Sequence, residues 1–177
     1  MAADLSGIGM THADPVIIGI HTGGAWFADA LAQRLTPAAP IGTIDISFYR
    51  DDFSRMGLHP QVKPSHLPVP VDNRVVILVD DVLHTGRTIR AAMNEIFDYG
   101  RPERIVLAVL ATRPGRELPI TPDVVGQVVD TLPPAGHTRL KGPDPLRLTC
   151  PLFPSDSAAH PPRAVPRWPL SPRHSST

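Results

Sequence analysis

The segment RVVILVDD, Arg74 to Asp81, constrains the fold most, because its run of apolar residues lacks the polar alternation of a half-exposed strand. Residues 14–20 and 104–112 repeat this pattern. Such strands are typical of a parallel sheet that helices cover on both faces. Segments with helical spacing, 25–35 and 88–100, follow two of them. The alternation predicts an α/β domain with a mostly parallel central sheet flanked by helices.

Two further segments are predicted strands. GTIDISFYRDD, residues 42–52, alternates between apolar and polar residues and ends in charge. GPDPLRLTC, residues 142–150, is predicted to be the closing strand of the domain.

Proline divides the chain into two parts. The 177 residues suffice for one α/β domain and are too few for two full ones. The 22 prolines are more than twice the average usage. From residue 151 onward they interrupt every apolar run, so residues 151–177 are predicted to be a disordered tail and residues 1–150 the folded domain. The tail carries three arginines and one aspartate, which leaves a slight acidic excess in the domain.

The expected location follows from what the chain lacks. A single cysteine, Cys150, excludes an internal disulfide and a cysteine-based zinc cluster. The first residues have neither the basic nor the apolar region of a signal peptide. No apolar run approaches the roughly 20 residues that span a bilayer. We therefore expect a cytoplasmic protein without a membrane role.

Asp80 and Asp81 lie at the carboxyl end of a predicted strand, where open α/β sheets bind their ligands. Residues Thr85 to Thr88 form the turn into the next helix. Its glycine permits close backbone approach, its threonines offer hydroxyls, and the N–H groups that begin a helix favour an anion. A phosphate held there would place an attached sugar beside the carboxylates, which accept hydrogen bonds from vicinal hydroxyls. The segment predicts a site for ribose 5-phosphate.

Two other interpretations of this segment stay open. In receiver-type domains an acidic pair at a strand end binds magnesium beside a phosphorylated aspartate, but that site does not use the Thr-Gly-Arg-Thr turn. A solvated strand end followed by an ordinary helix cap would usually carry one acidic residue, whereas this chain has two.

VVILVDDVLHTGRT, residues 75–88, resembles the phosphoribosyl diphosphate motif of type I phosphoribosyltransferases. SFYRDD (47–52), DYGRPERIVLAVL (98–110) and RELPITPDVVG (116–126) are similar to segments of the PyrR family, the bifunctional pyrimidine-operon regulators and uracil phosphoribosyltransferases. The resemblance covers residues 14–148. It implies the type I phosphoribosyltransferase fold with a small hood region.

The resemblance implies transfer of ribose 5-phosphate from phosphoribosyl diphosphate to N1 of uracil, giving UMP and diphosphate. Mg²⁺ would be held mainly by the substrate and water. Asp80 and Asp81 would be catalytic, holding the ribose hydroxyls and supporting an oxocarbenium-like state. The residues implied in substrate binding are Val82, Leu83, His84, Thr85, Gly86, Arg87 and Thr88 around the 5-phosphate, His21, Thr22, Gly23 and Gly24 around the diphosphate, Arg50, Asp51 and Asp52 in the YRDD segment, and Arg113 near the nucleotide.

One position departs from the family pattern. The family usually carries a basic residue after Thr22, where this chain has Gly23, so one cationic contact to the diphosphate is expected to be missing. His21 could partly replace it if the neighbouring diphosphate protonates the imidazole, or it could be an exposed loop residue. Arg50 is the other candidate cation, with the two following aspartates orienting it or contacting magnesium through water. YRDD could also be only a charged strand end.

Two loops complete the expected site. Residues 53–70 are too polar and proline-broken for a core, and long loops of this kind are often functional. Their family counterpart is a mobile flap, so Lys63 or His59 could reach the diphosphate. The resemblance places base recognition in residues 112–126, where the adjacent arginine and glutamate of RELPI could form an internal ion pair.

The family's second function is UMP-dependent binding of a messenger RNA leader. RNA affinity rests on phosphate neutralisation, and the acidic excess of the domain offers no global positive field. Arg90, Arg101 and Arg104 could form a local patch. Three hypotheses follow: an active uracil phosphoribosyltransferase, a UMP-sensing transcription attenuator with little or no catalysis, and a degenerate inactive homologue. The family also implies a homo-oligomer, expected to be a dimer.

Both ends of the chain depart from the family. Gly7 and Gly9 in the short stretch before Asp14 disfavour the helix that family members usually carry there. The N-terminal helix is therefore expected to be truncated. The composition changes abruptly after Cys150, which is consistent with a frameshift or an unusual extension.

Overall fold

A five-stranded parallel sheet forms the centre of the computed structural model, which describes residues 14–35, 39–46, 64–129 and 139–149. The strand order is β2-β1-β3-β4-β5. The elements of the described chain are β1 (Val16–Ile20), α1 (Gly23–Ala32), β2 (Ile41–Ile44), β3 (Val75–Leu83), α2 (Arg87–Tyr99), β4 (Arg104–Thr112), β5 (Val124–Val128), β6 (Arg139–Lys141) and β7 (Arg147–Thr149).

Both faces of the sheet are buried, as its apolar strands predict. On one face Ile18 and Leu78 belong to the same cluster as Ile96 of α2. On the other face Ile77 belongs to the same cluster as Phe27 of α1. Because consecutive strand residues point to opposite faces, only a strand covered on both sides is apolar at every position. The predicted parallel sheet flanked by helices is confirmed.

The strand order reverses between β1 and β3. From β1 the chain passes to β2 on one side, then crosses back to β3 on the other side and continues outward to β4 and β5. Loops that leave the carboxyl ends of β1 and β3 therefore diverge and leave a crevice, which is where doubly wound sheets bind ligands. The topology places the candidate site between residues 21–24 and residues 80–87.

Several element bounds differ from the predictions. β3 runs on to Leu83, so Asp80 and Asp81 lie within its last part, because β4 is long enough to pair with it up to Thr112. Helix α1 begins at Gly23, inside the predicted loop. Of the strand predicted over residues 42–52, the described part contains only β2, which ends at Ile44.

The predicted closing strand over residues 142–150 is wrong in its extent. The chain instead forms an antiparallel hairpin in which Leu140 pairs with Leu148. Pro143 and Pro145 lie in the connection between β6 and β7, because proline has no N–H to give to a strand ladder. Leu140 is buried with the α1 side of the core, which fixes the hairpin to the sheet.

Some predictions fall outside the described residues. They concern the N-terminal helix, the loop of residues 53–63, Cys150 and the tail of residues 151–177. Within the described part of the chain, no helix is both long and apolar enough to span a membrane.

Candidate active site

The loop after β1 is held against the end of β3. The N–H of His21 donates to the carbonyl of Ile44 at 2.9 Å, and the peptide bond between His21 and Thr22 is cis. A β-carbon at Gly24 would lie 2.5 Å from the carbonyl oxygen of Val79 and 3.0 Å from Cα of Asp80. Glycine is needed there because only its backbone can approach the strand so closely. The start of α1 therefore meets the carboxylate pair directly.

Backbone N–H groups fix both carboxylates. Asp80 is only 5% exposed, and its Oδ1 accepts the N–H of Asp81 at 2.9 Å. Asp81 is half-buried; its Oδ1 accepts the N–H of Val82 at 3.0 Å and its Oδ2 that of Leu140 in β6 at 3.3 Å. A carboxylate offers about four acceptor positions, so Asp81 has capacity left for a ligand hydroxyl.

Close packing around residue 23 explains why glycine occupies this position. A β-carbon there would lie 2.6 Å from Cγ of Asp81 and would also collide with its Oδ2. In this conformation no side chain at residue 23, basic or otherwise, fits without displacing Asp81. Glycine at this position therefore accompanies a close approach between the loop and the carboxylate of Asp81.

The turn between β3 and α2 has the form predicted for a phosphate site. Gly86 precedes the helix with φ of 93°, in the left-handed region that favours glycine. The hydroxyl of Thr85 accepts the N–H of Arg87 at 3.3 Å. Other N–H groups of the first turn of α2 have no partner within the helix, which favours an anion at this end.

The segment that is predicted to recognise the base packs onto this turn through its backbone. The carbonyl of Thr85 accepts two N–H groups, those of Glu117 and Leu118, both at 3.0 Å. The N–H of Arg113 donates to the carbonyl of Leu83 at 3.0 Å, and the Arg113 side chain is half-buried. Residues 113–118 therefore lie beside the phosphate turn at the carboxyl end of the sheet.

The expected ion pair between Arg116 and Glu117 is wrong. Glu117 accepts a hydrogen bond from Nε of Arg87 at 2.6 Å. Arg116 instead donates to the carbonyl of His84 and, at 3.1 Å, to the hydroxyl of Thr112. Desolvation lowers the pKa of Arg116, although arginine stays charged in proteins. Adjacent residues of an extended segment point to opposite sides, so each finds its own partner.

A second polar cluster lies beside the site and was not predicted. The N–H of Asp45, just after β2, donates to the hydroxyl of Ser65 at 3.0 Å, and that hydroxyl donates to Oε1 of Glu95 in α2. Glu95 is only 7% exposed. Burial raises its pKa, the carboxylates of Asp45 and Asp98 raise it further, and the Ser65 hydrogen bond opposes the change.

The predicted basic patch does not form a single surface. Arg90 lies in the first turn of α2, whereas Arg101 and Arg104 follow its last turn, about 14 Å away at 1.5 Å per residue. Arg101 lies over the ring of Phe97, and Arg104 approaches Asp123 at 3.8 Å. The arginines therefore lie at two ends of the helix.

The structure brings most predicted site residues to the carboxyl end of the sheet, around the ends of β1, β3 and β4. They are the carboxylates of residues 80 and 81, the loop of residues 21–24, the turn of residues 82–88 and Arg113. Arg50, Asp51, Asp52, His59 and Lys63 lie outside the described residues. Within the described residues no group of three or more His, Cys, Asp or Glu side chains could hold a metal.

A family model described as a phosphoribosyl transferase domain matches residues 5–133. A crystal structure of a purine phosphoribosyltransferase from Pyrococcus horikoshii is similar, with a TM-score of 0.55 and 27% identity over 73% of this chain and 78% of that one. A hypoxanthine phosphoribosyltransferase from Staphylococcus aureus gives a TM-score of 0.56 over 74% and 73% of the two chains, and at 20% identity it supports the fold alone. Fold and site define a phosphoribosyltransferase.

Curated relatives show to which family of phosphoribosyltransferases the chain belongs. The Bifunctional protein PyrR of Nitrosococcus oceani is 57% identical over 137 residues, which cover 76% of this chain and 77% of that protein. The protein of the same name from Pseudomonas aeruginosa is 56% identical over 134 residues, covering 76% and 78%. The chain therefore belongs to the PyrR family of phosphoribosyltransferases.

Proposed function

We propose that this chain transfers ribose 5-phosphate from phosphoribosyl diphosphate to N1 of uracil, forming UMP and diphosphate. One observation carries the proposal: the carboxylates of a buried Asp80 and a half-buried Asp81, a close-packed glycine loop and the turn before α2 meet where the strand order reverses. Membership of the PyrR family supports uracil as the acceptor base.

The proposed roles follow from the charge that develops during transfer. Breaking the bond at the anomeric carbon builds positive charge on the ribose and negative charge on the leaving diphosphate. The carboxylates of Asp80 and Asp81 accept hydrogen bonds from the ribose hydroxyls and stabilise the positive charge. Their backbone hydrogen bonds hold them in place beforehand, so little reorganisation is needed in the transition state.

The two loops bind the anionic groups. The turn of residues 82–88 takes the 5-phosphate at the start of α2, where backbone N–H groups and the hydroxyls of Thr85 and Thr88 face an anion. The loop of residues 21–24 takes the diphosphate, and His21 and Arg50 stay the candidate cations. Residues 112–126, including Arg113, form the hood over the base.

Mg²⁺ fits the donor set of the site. This ion prefers oxygen ligands, retains several waters and is commonly held by one or two carboxylates together with substrate phosphates. Asp80 and Asp81 provide two carboxylates at the ribose position, so no larger protein cluster is required. The ion would neutralise charge on the diphosphate.

Regulation of pyrimidine genes is the second part of the proposal. The relatives in this family are named bifunctional proteins, and the proposal that this chain binds RNA rests on its membership of the family. The domain boundary at residue 150, a dimeric state and a cytoplasmic location stay predictions.

The test is UMP formation from uracil and phosphoribosyl diphosphate with Mg²⁺. Asp80→Asn combined with Asp81→Asn should abolish it while the melting temperature shows that the variant folds. Asp29→Asn, which changes an exposed carboxylate of α1, is the matched control and should leave the rate unchanged. A folded native chain without activity, or a double variant that keeps it, would overturn the proposal.

A further inference from the structure

The carbonyl groups of the phosphate turn are bonded to the hood segment. The carbonyl of Leu83 accepts from the backbone of Arg113, and that of His84 accepts from the Arg116 side chain. The carbonyl of Thr85 accepts from the backbone of residues 117 and 118. The N–H of Arg87 already donates to the Thr85 hydroxyl, but the next N–H groups of the first turn have no partner within the helix and can face an anion. The carbonyls, which cannot bind an anion, are bonded to the hood instead. The turn therefore presents its donors to a ligand and its acceptors to the hood.

Side chains also pack tightly between the turn and the hood segment. A β-carbon at Gly86 would lie 3.3 Å from Cβ of Leu118 and 3.5 Å from Ile120. A β-carbon at Gly115 would lie 2.6 Å from Nε2 of His84. Such short spacings mean that neither segment can shift far without moving the other.

Two charged residues of RELPI complete the connection from opposite sides. Arg116 bridges the end of β4 and the turn, through Thr112 and His84. Glu117 orients Arg87, the first residue of α2. The pair Arg87 and Glu117 is about half exposed, with side chains 55% and 50% accessible, so it adds little to stability. Its position between the two predicted subsites suggests a different role.

We propose that Arg116 and Glu117 are positioning residues that join the phosphate turn to the hood, so that a phosphate in the turn strengthens binding of the base. This inference rests on the proposed function, because it assigns the turn to the 5-phosphate and the hood to uracil. Neither residue needs to touch the substrate.

The sign of the coupling follows from which contacts survive phosphate binding. A phosphate would attract Arg87, but its bond to Glu117 uses Nε, and a guanidinium with five donors can meet a phosphate while keeping that bond. The two hydrogen bonds to the Thr85 carbonyl and the Arg116 bridge do not involve Arg87, so they persist. A phosphate that orders the turn therefore also orders the hood, and the base binds with less ordering cost left. Coupling of this kind is reciprocal between the two ligands.

The experiment measures the affinity of uracil by calorimetry, with and without saturating ribose 5-phosphate. In the native chain ribose 5-phosphate should raise the affinity of uracil at least about five-fold, the lower end of common coupling factors. In the double variant Arg116→Gln plus Glu117→Gln the factor should fall to about half of its native value or less, because only the backbone bonds to the Thr85 carbonyl then join the two segments. The affinity for ribose 5-phosphate alone and the melting temperature should stay close to native. Glu103→Gln, an exposed carboxylate at the opposite end of β4, should keep the native factor.

The outcomes separate the inference from the function on which it rests. A native chain that binds neither ligand would refute both. A native chain that binds both ligands independently would refute only the coupling. A double variant that keeps the native factor, or that loses affinity for ribose 5-phosphate as well, would show that the two residues do not act as proposed. If the double variant does not fold, Arg116→Lys and Glu117→Gln are measured singly against the same criteria.

Discussion

Replacing Gly23 by alanine should impair catalysis far more than it impairs folding. The new β-carbon would lie 2.6 Å from Cγ of Asp81, where ordinary contacts begin at 3.4 Å. Residue 23 begins α1 and its backbone is fixed against β3, so the side chain of Asp81 has to move, by about 1 Å. The carboxylate would then leave the position at which we propose that it meets the ribose.

The expected loss can be worked from that displacement. A misplacement of about 1 Å can cost about 100-fold in rate, so kcat/KM for UMP formation should fall by about that factor. This corresponds to about 2.7 kcal/mol of transition-state stabilisation. The effect on folding is smaller. Losing the hydrogen bond from the N–H of Leu140 to Asp81 should cost about 1.5 kcal/mol. This is the low end for a hydrogen bond to a charged group, because the bond is long at 3.3 Å. Alanine also lowers the conformational entropy of the unfolded chain, which stabilises the folded state by about 0.4 to 1 kcal/mol.

The assay is steady-state UMP formation, paired with denaturant unfolding of the same preparations. Asp29→Ala, at an exposed position of the same helix, controls for a substitution in α1 and should keep native activity. Adding Gly23→Ala to an Asp81→Asn background should cost little more, because contacting residues are not additive. A Gly23→Ala variant within about three-fold of native kcat/KM would refute the packing argument. So would a gain in activity from Gly23→Arg, which would instead favour the missing cation as the limiting feature.

Two further predictions concern α2. Because burial raises the pKa of Glu95, the folded chain holds that proton more tightly than the unfolded chain, so native stability relative to Glu95→Gln should fall as pH rises from the ordinary glutamate pKa through the raised one. Denaturant unfolding of both proteins across that range tests this, and a difference that does not vary with pH would contradict it. Gly86→Ala should lower stability by about 1 kcal/mol and weaken ribose 5-phosphate binding, because φ of 93° disfavours alanine. Unchanged stability and affinity, by unfolding and calorimetry, would show that the turn tolerates a side chain.

The sequence predicts the sheet well because the relevant signals are local. β4 is found at the predicted residues, Arg104–Thr112, since a continuous apolar run can be buried only inside a two-sided sheet. The position of the candidate site can also be predicted from local signals, because glycine turns after β1 and β3 mark the carboxyl ends of neighbouring parallel strands. The end of β3 was missed because Asp80 and Asp81 interrupt its apolar run, whereas pairing with β4, as in Leu83 with Thr112, continues the strand past them.

The polar contacts in and around the candidate site are harder to predict from the sequence. Arg87 and Glu117 are separated by 30 positions, as are Ser65 and Glu95, and no local pattern assigns such partners. One signal was present in the sequence. Glu95 follows Ala92 by three residues on a helix whose buried stripe contains Ile89 and Ile96, so helical spacing alone places this carboxylate beside the core.

The carboxylate pair shows why a local motif does not by itself define a working site. Asp81 is contacted by the start of α1 through Gly23 and by β6 through Leu140, which is 59 positions away. Its identity is set by the motif, but its orientation is set by these two distant elements. A chain that retained both aspartates and carried a larger residue at position 23 would therefore need a compensating shift of α1 or β6 to keep the carboxylate in place. The same dependence makes the β6–β7 hairpin part of the site, although it contributes no side chain that the sequence marks as functional.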